Sequence, residues 1–186
     1  VLLIADRGYE GFNLMAHLQE KRGHFLIRIQ DVLHSRGIAA GLTLPDKEEF
    51  DIPINLSLTT KSTNEVKQLC KDRNRYRFIP STVAFDYLPK KNRKHDPTLF
   101  YELRFRIVRF KITDDTYETV VTNLDQYNFP ARELKNLYNM RWGIETSFRD
   151  LKYTVGLLNF HAKKVEYIYQ EIYARLIMYN FTELVT

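Results

Sequence analysis

Cysteine is almost missing from this sequence: Cys70 stands alone among 186 residues. No internal disulfide can form, and such usage suggests a reducing compartment. Glycine and proline are sparse, at seven and six, and no low-complexity tract or internal repeat is visible. Fibrous and solenoid classes are therefore excluded. No apolar run approaches the roughly 20 residues that span a bilayer. The opening Val1-Leu2-Leu3-Ile4-Ala5 is too short for the apolar stretch of a secretion signal and leads straight into Asp6. His17, His24, His34, His95 and His161 have no ligand spacing among themselves or with Cys70, so nothing suggests a zinc site. An initiator Met is also missing. The chain starts inside an apolar run and is expected to be a piece of a longer protein.

What is present is the balance of a soluble globular protein, 44% apolar and 27% charged. The net charge of +5 is mild. Its distribution says more: from Lys61 to Lys111 there are fourteen basic and five acidic residues. A solvated basic surface and a patch that neutralises phosphates both fit that run. The loop Lys90-Lys91-Asn92-Arg93-Lys94-His95-Asp96 is its densest part.

The periodicity divides the chain in three. Val1 to Ala5 reads as a buried strand, Phe12 to Lys21 as a helix with Asn13 a candidate N-cap, and Phe25 to Ile29 as a second buried strand. A strand–helix–strand unit of this kind builds an α/β sheet. Phe50 to Thr59 alternates, with Ile52, Ile54, Leu56 and Leu58 on one side. Arg75 to Phe85, Thr98 to Ile112 and Tyr117 to Thr122 are further strand candidates, with a turn at Asp114-Asp115. After Pro130 the period becomes helical: one long helix from Ala131 to about Val155, ended by Gly156, then another from about Lys163 to Leu184. Val165, Ile168, Ile172, Leu176 and Phe181 are expected to form the buried stripe of the last helix. The domain boundaries predicted are 1–35 for the first core segment, 36–128 for a β-rich insertion and 129–186 for the C-terminal helices.

The sharpest feature lies on the long helix. At about 100° per residue, Tyr138, Arg141, Glu145 and Lys152 fall within a sector of roughly 60°. Leu137, Ile144, Phe148, Leu151 and Val155 cluster about 80° away. An ordinary amphipathic helix with an Arg141–Glu145 pair fits this pattern. So does a carboxylate that holds a metal ion, beside cations and a phenol that grip phosphate oxygens. Trp142, the one Trp, reads as packing rather than as a base-stacking group, and the Tyr-rich tail as the rim of a core.

Tyr138-x2-Arg141-x3-Glu145-x6-Lys152 resembles the signature of a large group of bacterial DDE transposases from insertion sequences. Asp6-Arg7-Gly8-Tyr9, just after an apolar strand, is similar to the group's Asp-x-Gly-Tyr/Phe motif. Asp6 and Glu145 stand 139 positions apart, and the group carries a β-rich insertion at this place. The resemblance implies an α/β, RNase H-like (retroviral-integrase-like) core, incomplete at its N-terminus and interrupted by an antiparallel β insertion. It makes Asp6 and Glu145 the second and third catalytic, metal-binding carboxylates, and Tyr138, Arg141 and Lys152 DNA-binding residues. The implied cofactor is Mg²⁺ or Mn²⁺, two ions in the complete enzyme. The implied reaction is phosphodiester hydrolysis at transposon ends, followed by strand transfer. Partners would be double-stranded DNA, both terminal inverted repeats and target, with a homodimer on paired ends and no membrane. The place would be the bacterial cytoplasm, at the nucleoid. The group's first catalytic Asp has no counterpart here and is expected upstream of Val1, so this fragment is expected to be inactive alone. A catalytically inactive DNA-binding remnant and an RNase H-fold nuclease are the alternatives.

Overall fold

The computed structural model describes residues 1–31, 37–89, 100–153 and 155–185, except the side chains of Trp142, Ile144, Glu145, Phe148 and Glu183. The basic loop at 90–96 lies outside the described residues. Two compact units divide the chain, Val1–Leu137 and Tyr138–Thr186.

The first unit is built on one six-stranded mixed sheet. Its strands are β1 (Leu2–Ala5), β2 (His24–Ile29), β3 (Phe50–Thr59), β4 (Tyr76–Phe78), β5 (Tyr101–Thr113) and β6 (Thr116–Thr122). Their spatial order is β1-β2-β6-β5-β3-β4. β1 and β2 are parallel and are joined through helix α1 (Phe12–Glu20). β6 pairs antiparallel with β2, so strands from the 36–128 segment continue the sheet begun by β1 and β2. The long β5–β6 hairpin turns at Asp114-Asp115, as the sequence predicts.

Alternation along the strands gives this sheet two faces. Ile27, Val121 and Ile107 lie in register across β2, β6 and β5. They join Phe25, Ile54, Leu56 and Leu103 in a core with Met15 and Ala16 of α1. On the other face Leu26, Val120, Val108 and Phe110 are buried as well. The loop after β6 crosses that face and enters α3 (Ala131–Asn139), whose Leu134 is fully buried. Lys135 Nζ then donates to Lys111 O at 2.8 Å. Each large apolar side chain taken wholly out of water contributes roughly 1.5–3 kcal/mol, so the two-sided burial of the central strands is the main source of cohesion.

Several elements depart from the sequence reading. Gly11, not Asn13, caps α1. Asn13 instead exchanges hydrogen bonds with Asp86, donating to its Oδ2 at 2.9 Å and accepting from its backbone N–H at 3.0 Å. The strand expected over Arg75–Phe85 is only the three residues of β4, because Pro80 has no N–H to offer a ladder. A short helix, α2 (Asn64–Leu69), was not expected. Thr63 caps it, its hydroxyl accepting from the Val66 N–H at 3.3 Å. Thr63→Ala should therefore lower stability by about 1 kcal/mol, read as a shifted urea midpoint with an unchanged slope.

The second unit holds α4 (Arg141–Tyr153) and α5 (Val165–Val185). The predicted single helix over 131–155 is thus interrupted at Met140, which is 69% exposed. Asn139 and Gly143 flank the break, and both are poor helix formers. The Gly143 N–H bonds back to Met140 O at 3.1 Å, the tighter three-residue step that starts α4. Residues 156–162 are strapped to α5 by two side chains. Glu171 accepts from the Ala162 N–H at 2.8 Å, and Arg175 donates to Asn159 O at 2.9 Å. The predicted apolar stripe of α5 is only partly buried: Ile168, Ile172 and Leu176 are half-buried, but Val165 and Phe181 are exposed. Tyr167, Tyr169, Tyr173 and Ile177 are exposed too. Polar and apolar residues are spread around its whole circumference, so no single face is singled out for burial.

Candidate active site

The site is built outward from the tip of β1. Asp6 follows the last residue of that strand and caps a one-turn 3₁₀ helix, Arg7–Tyr9. Its Oδ1 accepts from the Arg7 N–H at 2.7 Å, and its carbonyl accepts from the Tyr9 N–H at 3.0 Å. The short capping turn therefore orients the carboxylate. Further on, the Glu10 carboxylate accepts from the Ile38 N–H and anchors the loop to the turn at Gly37. Gly37 has φ +77 there, a backbone conformation that favours glycine.

Asp6 sits at an exposed edge of charge. Its side chain is 45% exposed, and Arg28 Nε lies 3.5 Å from its Oδ1. The register explains the contact: Ala5 pairs with Ile27, and one step beyond that pair brings Asp6 beside Arg28. Arg28 reaches the other way to β6, where its Nη1 donates to Glu118 Oε1 at 2.9 Å. Nearby, Arg109 grips Asp31 with Nε and Nη2 at 3.0 and 3.2 Å, and its Nη1 donates to Glu48 O at 2.5 Å. The Thr119 hydroxyl also donates to Asp31 Oδ1, at 3.2 Å. Arg7, Arg28, Asp31, Tyr117 and Glu118 line a cleft of about 160 Å³. Tyr117 donates to Glu48 Oε2 at 2.7 Å, and that carboxylate pushes its phenol above the ordinary tyrosine range.

In the second unit α4 carries Arg141, Glu145 and Lys152. Spacings of four and seven residues put all three on one side of a helix. Lys152 is exposed and Arg141 half-buried. The side chain of Glu145 lies outside the described residues, as does that of Trp142. Tyr138 precedes the break and is fully buried, so it is not part of an open ridge. Its ring lies 5.2 Å from the Arg141 guanidinium carbon, a cation–π contact.

Sequence reasoning missed Arg28, Asp31, Arg109 and Glu118. Their partners lie about 80 to 90 positions away, and no local pattern signals such pairs. The basic run from Lys61 to Lys111 is also less of a surface than its letters suggest, since Lys61, Arg106 and Arg109 are buried. Among the described residues no group of three or more His, Cys, Asp or Glu is arranged to hold a metal ion. None of their helices is long and apolar enough to cross a membrane.

The profile of the family described as "Transposase DDE domain" matches residues 1–181, and the chain belongs to that family. Over 90 residues it is 31% identical to the transposase InsG for insertion sequence element IS4 of Escherichia coli strain K12. That match spans 47% of this chain and 20% of the relative's length.

Proposed function

We propose that the chain is part of the catalytic domain of an insertion-sequence transposase that nicks transposon ends and joins them to target DNA. The observation that carries this reading is the position of Asp6. It is a half-open carboxylate at the C-terminal tip of an apolar parallel strand, oriented by its own capping turn, in a chain that belongs to the family. In this reading β1, α1, β2 and the C-terminal helices belong to an RNase H-like core, and residues 36–128 are a β-rich insertion into it.

Asp6 and Glu145 are the two carboxylates this chain contributes to the reaction centre. Both are hard oxygen donors, the type that Mg²⁺ and Mn²⁺ prefer, so the donor chemistry fits. Those ions, two in the complete enzyme, supply charge neutralisation at the phosphorus and activation of the attacking group. Arg141 and Lys152 hold phosphate oxygens of the transposon end, Arg141 with a planar fork and Lys152 as a point charge. Tyr138 supports Arg141 through its ring rather than meeting DNA directly. Two copies acting on paired ends complete the assembly.

The test is an assay of the complete protein on a duplex carrying its own element's end. Expected products are a nick with a 3′-OH and, with target DNA added, a joined strand, both requiring Mg²⁺ or Mn²⁺. A crystal grown with Mn²⁺ should bring the Asp6 and Glu145 carboxylates within about 8 Å, near enough to share ions roughly 4 Å apart. Binding without any nick would make the chain a DNA-binding remnant. Nicking without joining would make it a nuclease.

A further inference from the structure

We propose that Arg28, held by Glu118, is a positioning residue for Asp6, so that the last strand of the β-rich segment sets the geometry of the reaction centre. The inference rests on the reading of Asp6 as a metal-holding carboxylate and deepens it. Arg28 spans two strands: its Nε lies 3.5 Å from Asp6 Oδ1 and its Nη1 is 2.9 Å from Glu118 Oε1. Arg28 and Glu118 are 23% and 20% exposed, so the pair works in a partly dry setting where charged hydrogen bonds hold more firmly than in water. Their placement follows from the sheet. Arg28 pairs with Val120 across β2 and β6, and Glu118 is the next β6 side chain on that face.

The Arg7 N–H and Arg28 Nε both meet Asp6 at Oδ1. The Arg7 N–H fixes that atom from the capping turn and Arg28 from the neighbouring strand. Two fixed points, the Cβ bond and Oδ1, define the plane of a carboxylate and hence the direction in which it presents its lone pairs. Outer partners of this type tune how well a ligand meets its ion. Arg28 does so through Asp6, and Glu118 does so through Arg28.

The test uses the complete protein. Arg28→Gln should raise the half-saturating Mn²⁺ concentration about 10-fold. The shift should appear both in end cleavage and in a direct electron paramagnetic resonance titration of Mn²⁺ into the protein–DNA complex. Affinity for the end duplex, measured in EDTA, should stay unchanged. Arg28→Lys keeps the charge but not the fork and should move the titration less, in the same direction; it serves equally if the glutamine variant melts early. Glu118→Gln should also weaken Mn²⁺ binding, and the double variant should be no worse than Arg28→Gln alone. An unchanged Mn²⁺ titration with a loss of duplex affinity would make Arg28 a phosphate contact and overturn the proposal. Full additivity of the two substitutions would overturn it as well. If Asp6→Asn still cleaves at the parental rate, the active-site reading itself fails. If Asp6→Asn is dead while Arg28→Gln titrates like the parent, only this inference fails.

Discussion

In the complete protein, Asp6→Asn is expected to reduce end cleavage by on the order of 1000-fold, the scale on which removal of one group that stabilises transition-state charge is felt. Folding should survive. The Asp6 side chain is half open to solvent and caps a single 3₁₀ turn, and Asn is as good a cap as Asp. Asp6→Ala would add the loss of that cap, about 0.5–2 kcal/mol, and so confuses stability with chemistry. Asp6→Cys separates the roles further. A thiolate is a poor ligand for Mg²⁺ and a better one for softer ions, so this variant should be dead in Mg²⁺ and recover part of its activity in Mn²⁺. Single-turnover cleavage with each ion, beside thermal melts, checks all three. Wild-type rates for Asp6→Asn in Mg²⁺ would remove Asp6 from the mechanism.

Arg106→Ala should be the most damaging change to stability, at about 3–5 kcal/mol, the usual cost of stripping one partner from a buried ion pair. The Arg106 side chain is 7% exposed and closes a polar knot beside the core. Its Nη1 donates to Asp51 Oδ2 at 2.6 Å and its Nε to Leu124 O at 2.8 Å. Nη2 donates to Asp125 O at 3.3 Å and to Phe129 O. Those carbonyls belong to the loop that carries the chain from β6 to α3, so losing Arg106 leaves the largely buried Asp51 carboxylate and the Leu124 and Phe129 carbonyls without this donor, while Asp125 O keeps the Phe129 N–H. The deficit should depend on pH. Burial holds the Asp51 carboxyl above its ordinary range, with Arg106 opposing the shift. The folded chain therefore binds this proton more tightly than the unfolded chain. That contribution to stability is full at low pH and is lost as pH rises through the folded value. Removing Arg106 lifts the folded value further, so the deficit of Arg106→Ala should be largest near neutrality and narrow on acidification. Urea titrations at neutral and acid pH measure it, and a pH-independent deficit would assign the loss to the carbonyls alone.

Most of the first unit was legible because its strands bury one face or two. Leu2 to Ala5 and Phe25 to Ile29 are apolar runs, and β3 alternates cleanly. The strand at 75–85 misled because Phe78, Ile79, Val83 and Phe85 are residue types that favour strands. Only Ile79 and Phe85 of these are buried. The long helix misled because the wheel carried on through Met140 with no proline to stop it. Tyr138 looked like part of a polar ridge for the same reason, although it is fully buried. Asp6 stood out because Asp6-Arg7-Gly8-Tyr9, just after an apolar strand, resembles the group's motif. Arg28 and Glu118 did not, since each is an ordinary charged residue in its strand until the sheet brings them together.

The pairing of β2 with β6 also has a temporal side. The Phe25 N–H finds its acceptor, Asn123 Oδ1, 98 residues later in the chain. At synthesis rates of roughly 5–20 residues per second, the bare flank of β2 waits some 5 to 20 seconds on the ribosome before its neighbour exists. Unpaired apolar strands of this sort invite adhesion to other nascent chains. A message broken before the codon for Thr116 would release polypeptides carrying that sticky flank permanently, fit for a protease rather than for DNA.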